Sequence, residues 1–153
     1  IDADAIIVNN DVDVSIPETA HQGLAQHLQP DGNMALNTGV WYLKKQALPF
    51  LQEVLKTGPI ESANPFWWEQ NTVLHVFGIS PFPPYQKPKQ PNEYMQKLVE
   101  LPYAWNIAPF DLRAFSNYGD KIRILHAAGC GAAERRAEIM RRWIFQFGVD
   151  KQT

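Results

Sequence analysis

Asp2-Ala3-Asp4-Ala5-Ile6-Ile7-Val8 sets two carboxylates, one residue apart, against an unbroken apolar run. The run reads as the end of a buried strand that passes into a loop by Asn9. Two carboxylates so spaced at a strand end can face a single divalent cation, and oxygen ligands suit Mg²⁺ or Mn²⁺. Composition alone produces such a pair in roughly every second or third chain of this length, and Asp11-Val12-Asp13 is another instance. The first pair is the better candidate because the apolar run beside it would fix its geometry. The second lies in a polar stretch and reads as a solvated loop.

Outward from that strand, residues 10–33 are polar and broken by Pro17, Pro30 and Gly32. They read as a loop with at most a short helix over 23–28. Residues 39–43, Gly-Val-Trp-Tyr-Leu, form a compact β-type run. A helix is expected over 47–56, with Pro49 near its start, where a missing N–H costs least. Phe50, Leu51, Val54 and Leu55 share one of its faces, and Thr57-Gly58-Pro59 stops it. A second helix is expected over 66–77, closed by Gly78. Residues 80–92 hold Pro81, Pro83, Pro84, Pro88 and Pro91 and read as an extended surface loop. A short strand is expected over 122–125. The last helix is expected over 133–147, where Met140, Trp143, Ile144 and Phe147 make one apolar face. Arg135, Arg136, Arg141 and Arg142 spread over the rest. No internal repeat or domain boundary is visible, so residues 1–153 read as one domain.

The chain has 153 residues, 45% of them hydrophobic, which allows a real core. Its formal net charge of −2 argues against a nucleic-acid partner, which usually meets a basic excess. Cys130 is the lone cysteine, so the chain has neither an internal disulfide framework nor a thiolate metal site. No apolar run approaches the roughly 18 residues of a membrane span.

Further residues suited to chemistry follow in order. Asn37-Thr38-Gly39 precedes the β-type run; Gly39 permits close backbone approach or a positive φ, and Asn37 can bond a ligand hydroxyl. Trp67-Trp68-Glu69-Gln70-Asn71 puts an acid and two amides beside two indoles, a composition that suits a sugar ring. It also suits an ordinary amphipathic first turn with its acid near the helix N-terminus. Leu101-Pro102-Tyr103-Ala104-Trp105-Asn106 is a non-helical segment with a polar tip. His126 ends the later strand and precedes Ala127-Ala128-Gly129, so it can reach a metal while backbone N–H groups approach a phosphate. Its bland alternative is a histidine hydrogen-bonded in a turn. His21 and His27 fall in the polar loop and His75 on a helix; all three read as structural.

Taken in order, these motifs resemble the C-terminal part of a GT-A-type nucleotide-diphospho-sugar glycosyltransferase. They are most similar to the group of fungal galactosyl- and mannosyltransferases and plant xylosyltransferases, and more distantly to glycogenin. The resemblance runs from Asp2 to about Trp143. It implies an α/β fold, a partial Rossmann-like mixed sheet flanked by helices, without the N-terminal nucleotide-binding strands. It also implies that Asp2, Asp4 and His126 hold Mn²⁺ or Mg²⁺. Gly129 would lie against the pyrophosphate, and Asn37, Gly39, Trp68 and Asn106 would bind the donor. Glu69 and Gln70 stand where the family has an Asp-Gln pair at the reacting carbon; the added methylene of Glu alters its reach. A phosphate-binding Lys of glycogenin-type relatives is absent here, and Arg135 or Arg136 would replace it.

The implied reaction is transfer of a sugar from a nucleoside diphosphate donor to a carbohydrate or glycoconjugate acceptor, with retention of configuration. The first ligand being residue 2, the chain is expected to be a piece of a longer enzyme, and the surface left by the missing half favours self-association. A cytoplasmic setting is favoured, a Golgi-lumenal one following if a membrane anchor precedes Ile1. Two other readings stay open: a non-catalytic sugar-binding or interaction fragment, and a metal-dependent phosphohydrolase, which leaves the Asn-Thr-Gly and Trp-Trp-Glu-Gln motifs without a purpose.

Overall fold

A computed structural model of the protein describes residues 5–7, 15–28, 34–62, 68–82, 85–108, 117, 122–127 and 132–147. Asp2, Asp4 and Gly129 lie outside them, as do Trp67 and the side chain of Trp68. The strands are β1 (Ala5–Ile7), β2 (Gln22–Leu28), β3 (Met34–Leu43), β4 (Leu98–Leu101) and β5 (Ile124–His126). The helices are α1 (Leu48–Thr57), α2 (Trp68–Val76), α3 (Glu93–Gln96) and α4 (Ala133–Phe147). Together they make a small mixed α/β arrangement. β2 lies between β3, antiparallel to it, and β4, parallel to it, while β1 and β5 form an antiparallel pair.

The helices fall close to their sequence positions. Pro49 occupies the first turn of α1, and α4 spans the residues expected of it. Its Trp143 is buried against Ile107, Ile122 and Leu125, with Ile139, Met140 and Ile144 packed alongside. The main core lies between the three-stranded sheet and the helix pair α1 and α2. Phe50 stacks on Phe77 at 4.4 Å and meets Trp41 and Tyr94 edge-on.

β2 overturns the expectation of a polar loop with a short helix over 23–28. It is the central strand, and its Leu24 and Ala25 are fully buried in two different clusters. Gln22 is buried and Gln26 half-buried, and both amides have partners. Gln22 Oε1 accepts from Trp41 Nε1 at 3.1 Å, and Gln26 Nε2 donates to Glu100 Oε2 at 2.7 Å. A buried amide paired in this way costs little. β3 is also longer than the compact run read from its sequence, so Asn37-Thr38-Gly39 lies within a strand and not in a turn before one.

Gly58 caps α1 at φ 65°, its N–H bonded to the Val54 carbonyl at 3.1 Å. A Cβ there would meet nothing within 4 Å, so only backbone strain opposes Gly58→Ala. With ψ at −168° this backbone is open to glycine almost alone, so the expected cost is about 2 kcal/mol, read as a fall of about 4–8 °C in melting temperature.

Candidate functional site

The site begins at an irregularity in the β2–β3 ladder. Leu24 pairs with Trp41, but the next residue, Ala25, pairs with Asn37. Residues 38–40 are thereby squeezed out opposite the Leu24–Ala25 junction. A bulge bends its strand and re-aims the side chains beside it. Here it turns Asn37 toward α2 and brings the backbone of Gly39 against β5.

Asn37 is the hub of the network. Its Oδ1 accepts from the backbone N–H of Gly39 at 2.9 Å and from Asn106 Nδ2 at 3.1 Å. Its Nδ2 donates to Gln70 Oε1 at 2.8 Å, which also accepts from the Thr38 N–H at 3.4 Å. Asn106, fully buried, turns its Oδ1 to His126 Nδ1 at 2.8 Å. On the outer side, Thr38 Oγ1 donates to Glu69 Oε1 at 3.2 Å. Asn37, Gln70, Asn106 and His126 are all buried, and Glu69 is exposed. A continuous path of hydrogen bonds therefore joins the buried imidazole to Gln70 and Thr38, with the exposed carboxylate at its outer end.

The direction of these bonds fixes the state of His126. A backbone N–H can only donate, so the Gly39 N–H identifies the Asn37 atom it meets as oxygen. The Asn106 group facing that oxygen must then be its NH₂, which leaves the Asn106 oxygen for His126. Nδ1 of His126 consequently carries the hydrogen, and in the neutral ring the lone pair is on Nε2. A metal-binding histidine is held in this way: one ring nitrogen donates to an orienting group while the other faces the ion.

Gly39 makes room for the ring. A Cβ on it would lie 2.0 Å from His126 Cε1 and 2.7 Å from His126 Nδ1. Across the β1–β5 pair, His126 is opposite Ala5, the residue that follows Asp4 in the sequence.

The structure thus brings together Asn37, Gly39, Glu69, Gln70, Asn106 and His126, which the sequence singled out in separate segments. Arg135 is not among them: it is exposed in the first turn of α4, with no bond to this network among the described residues. Nor do the described residues contain a group of three or more His, Cys, Asp or Glu side chains that could hold a metal.

His27, expected in a polar loop, is buried beside His126, with ring centroids 5.9 Å apart. The strand period would have placed it, since His27 shares a face with Ala25, the partner of Asn37. Burial lowers its pKa from 6.5 to about 4; the His126 ring adds to the effect, and a bond with the Asn106 backbone opposes it. Because the folded pKa is the lower one, the unfolded chain takes up a proton first as pH falls. Stability therefore holds above pH 6.5 and declines between pH 6.5 and about 4, by about 3 kcal/mol in all. Urea unfolding at a series of pH values checks this, and His27→Gln is expected to flatten that part of the profile.

No protein-family model and no curated protein matches the chain. Its structure is similar to the crystal structure of a glycosyltransferase involved in the glycosylation of the major capsid of PBCV-1, with a TM-score of 0.55 and 21% sequence identity. The match covers 90% of this chain and 63% of that one, so the chain spans less than two thirds of the protein it resembles. At this identity the likeness is one of fold. It is a distant, partial likeness to a viral glycosyltransferase, not to the fungal and plant group that the motif order suggested. Among the described residues, no helix is long and apolar enough to cross a membrane.

Proposed function

We propose that the chain carries the metal- and sugar-facing part of a nucleotide-sugar-dependent glycosyltransferase. The observation that carries this reading is the directed hydrogen-bond path from Gln70 to His126, which puts the ring hydrogen on Nδ1 and the neutral ring's lone pair on Nε2, as binding of a metal at Nε2 would need. The similarity of fold to a glycosyltransferase supports it independently. The motif order supports the closer kinship with the fungal and plant group.

His126 Nε2, with Asp2 and Asp4 from the segment leading into β1, would hold Mn²⁺ or Mg²⁺. The donor set of one imidazole and two carboxylates fits such an ion. When bound, the ion would offset charge on the departing diphosphate as a Lewis acid. Asn106 holds the His126 ring in its plane, and Gly39 admits the ring to that place. Gln70 has its oxygen engaged by Asn37 and Thr38, so it presents N–H donors to oxygen atoms of the donor. Glu69, steadied by Thr38, supplies negative charge near the anomeric carbon, which becomes positive as its bond to the diphosphate oxygen breaks. Trp68, Gly129 and one of Arg135 and Arg136 would complete the donor site. The acceptor oxygen would then bond that carbon with retention of configuration, its proton passing to the departing diphosphate oxygen.

Calorimetry of Mn²⁺ binding, with and without UDP or GDP, tests this reading. Binding that one nucleotide strengthens, and that Asp4→Ala with His126→Ala abolishes, is the expected result. Absence of binding from the parent chain would overturn the transferase reading and leave a non-catalytic module of the same fold.

A further inference from the structure

A cavity of about 620 Å³ opens beside Glu69, between the end of α1 and the start of α2. That is the size of a small-molecule site. Val54, Leu55, Pro59 and Ile60 form its apolar wall. Its polar groups are largely committed to holding the wall in place. Thr72 Oγ1 donates to the Gly58 carbonyl at 2.9 Å, tying α2 to the turn that ends α1. Asn71 Nδ2 donates to Ser62 Oγ at 2.8 Å, tying the following segment to the same helix. Among the described residues Glu69 is the charged one of the lining, and its carboxylate also takes the Thr38 hydroxyl of the polar network. One carboxylate therefore belongs to both places.

We infer that this cavity is the acceptor subsite, and that it takes an acceptor whose sugar is carried on an aromatic or alkyl group. The inference rests on the transferase reading above. Glu69 divides the apolar cavity from the network in which the donor would be handled. An acceptor seated here has its hydroxyl at the carboxylate and its apolar group against Leu55 and Ile60. A free sugar would gain little from such a wall, because its hydroxyls would find few partners there. A phenyl ring gains from being withdrawn from water, and its contribution is expected to exceed about tenfold in affinity.

The chain also supplies an unusual handle. Leu55 is 81% exposed on a helix, so Leu55→Gln removes wall without removing core. Leu48, 53% exposed at the other end of α1, gives the matched control.

The experiment is calorimetric titration of the chain, at saturating Mn²⁺ and UDP or GDP, with phenyl and methyl glycosides of glucose, galactose, mannose and xylose. Phenyl glycosides are expected to bind at least about tenfold more tightly than their methyl counterparts. Leu55→Gln is expected to remove most of that preference, and Leu48→Gln to leave it intact. Equal affinity for phenyl and methyl glycosides, or no binding of either, overturns the inference; nucleotide-strengthened Mn²⁺ binding in the same samples would show the transferase reading intact. A phenyl preference without that nucleotide effect overturns the assignment of the cavity to an acceptor, and the failure then lies with the transferase reading. A preference that survives Leu55→Gln places the aromatic group elsewhere and also overturns it.

Discussion

Gly39→Ala is expected to lower the melting temperature by about 10 °C and to remove Mn²⁺ binding with it. The reason is space. The added methyl would lie 2.0 Å from a ring carbon of His126 and 2.7 Å from both His126 Nδ1 and Asn37 Oδ1. Neither neighbour can give way cheaply. His126 is 1% exposed and bonded to Asn106, so moving the ring breaks that bond inside the protein. Asn37 holds Gly39, Asn106 and Gln70 at once, so moving it breaks several. Overpacking costs about 1–3 kcal/mol, and each buried polar group left without its partner adds about 1–3; a total near 4 kcal/mol is expected.

Thermal unfolding followed by circular dichroism reads the loss, and Gly58→Ala serves as the comparison. Gly58 is glycine because of its backbone angle, whereas Gly39 is not in the positive-φ region and is glycine because His126 occupies the space. A fall of less than about 3 °C in Gly39→Ala would show that the imidazole is not packed on this backbone.

Much of this site could be read from the chain because each residue stands at an irregular point in its segment. Asn37 borders a bulge that contains Gly39, Gln70 lies in the first turn of a helix, Asn106 ends a tight turn, and His126 ends a strand. Such positions hold polar residues in short, recognisable strings. What the strings lacked was direction. Asn106 was singled out as a polar tip in a loop, and its spacing could not show that it joins Asn37 to His126 across 69 and 20 residues of chain.

β2 was illegible for a different reason. Periodicity assigns polar letters to solvent, and Gln22, Gln26 and His27 gave the central strand the look of a loop. Their partners, Trp41, Glu100 and the backbone of Asn106, come from distant segments. The helices were easier because their stop signals are local. Gly58 and Gly78 both adopt positive φ at the ends expected for α1 and α2.

The second large effect is expected at Asn106, and it separates two roles that a simple deletion would merge. Asn106→Leu removes the acceptor for His126 Nδ1–H and the donor to Asn37 Oδ1, in a place with no access to water. The stability loss is expected to be about 4 kcal/mol, from two broken bonds and a buried ring N–H left unmatched. With its orienting partner gone, the ring can rotate or change tautomer, and Mn²⁺ affinity is expected to fall about 10- to 100-fold.

Asn106→Asp keeps the shape and the acceptor for His126 but turns an oxygen toward the Asn37 oxygen, so the fold is still weakened. The carboxylate can nevertheless hold the imidazole as the amide does, and Mn²⁺ affinity is expected to stay within about threefold of the parent. Thermal unfolding and Mn²⁺ calorimetry on the two variants decide the matter together. If both lose metal binding in proportion to their loss of stability, Asn106 only supports the core. If aspartate weakens the fold while retaining the metal, Asn106 sets the tautomer of His126, and the path through Asn37 to Gln70 joins the metal side of the site to its sugar side.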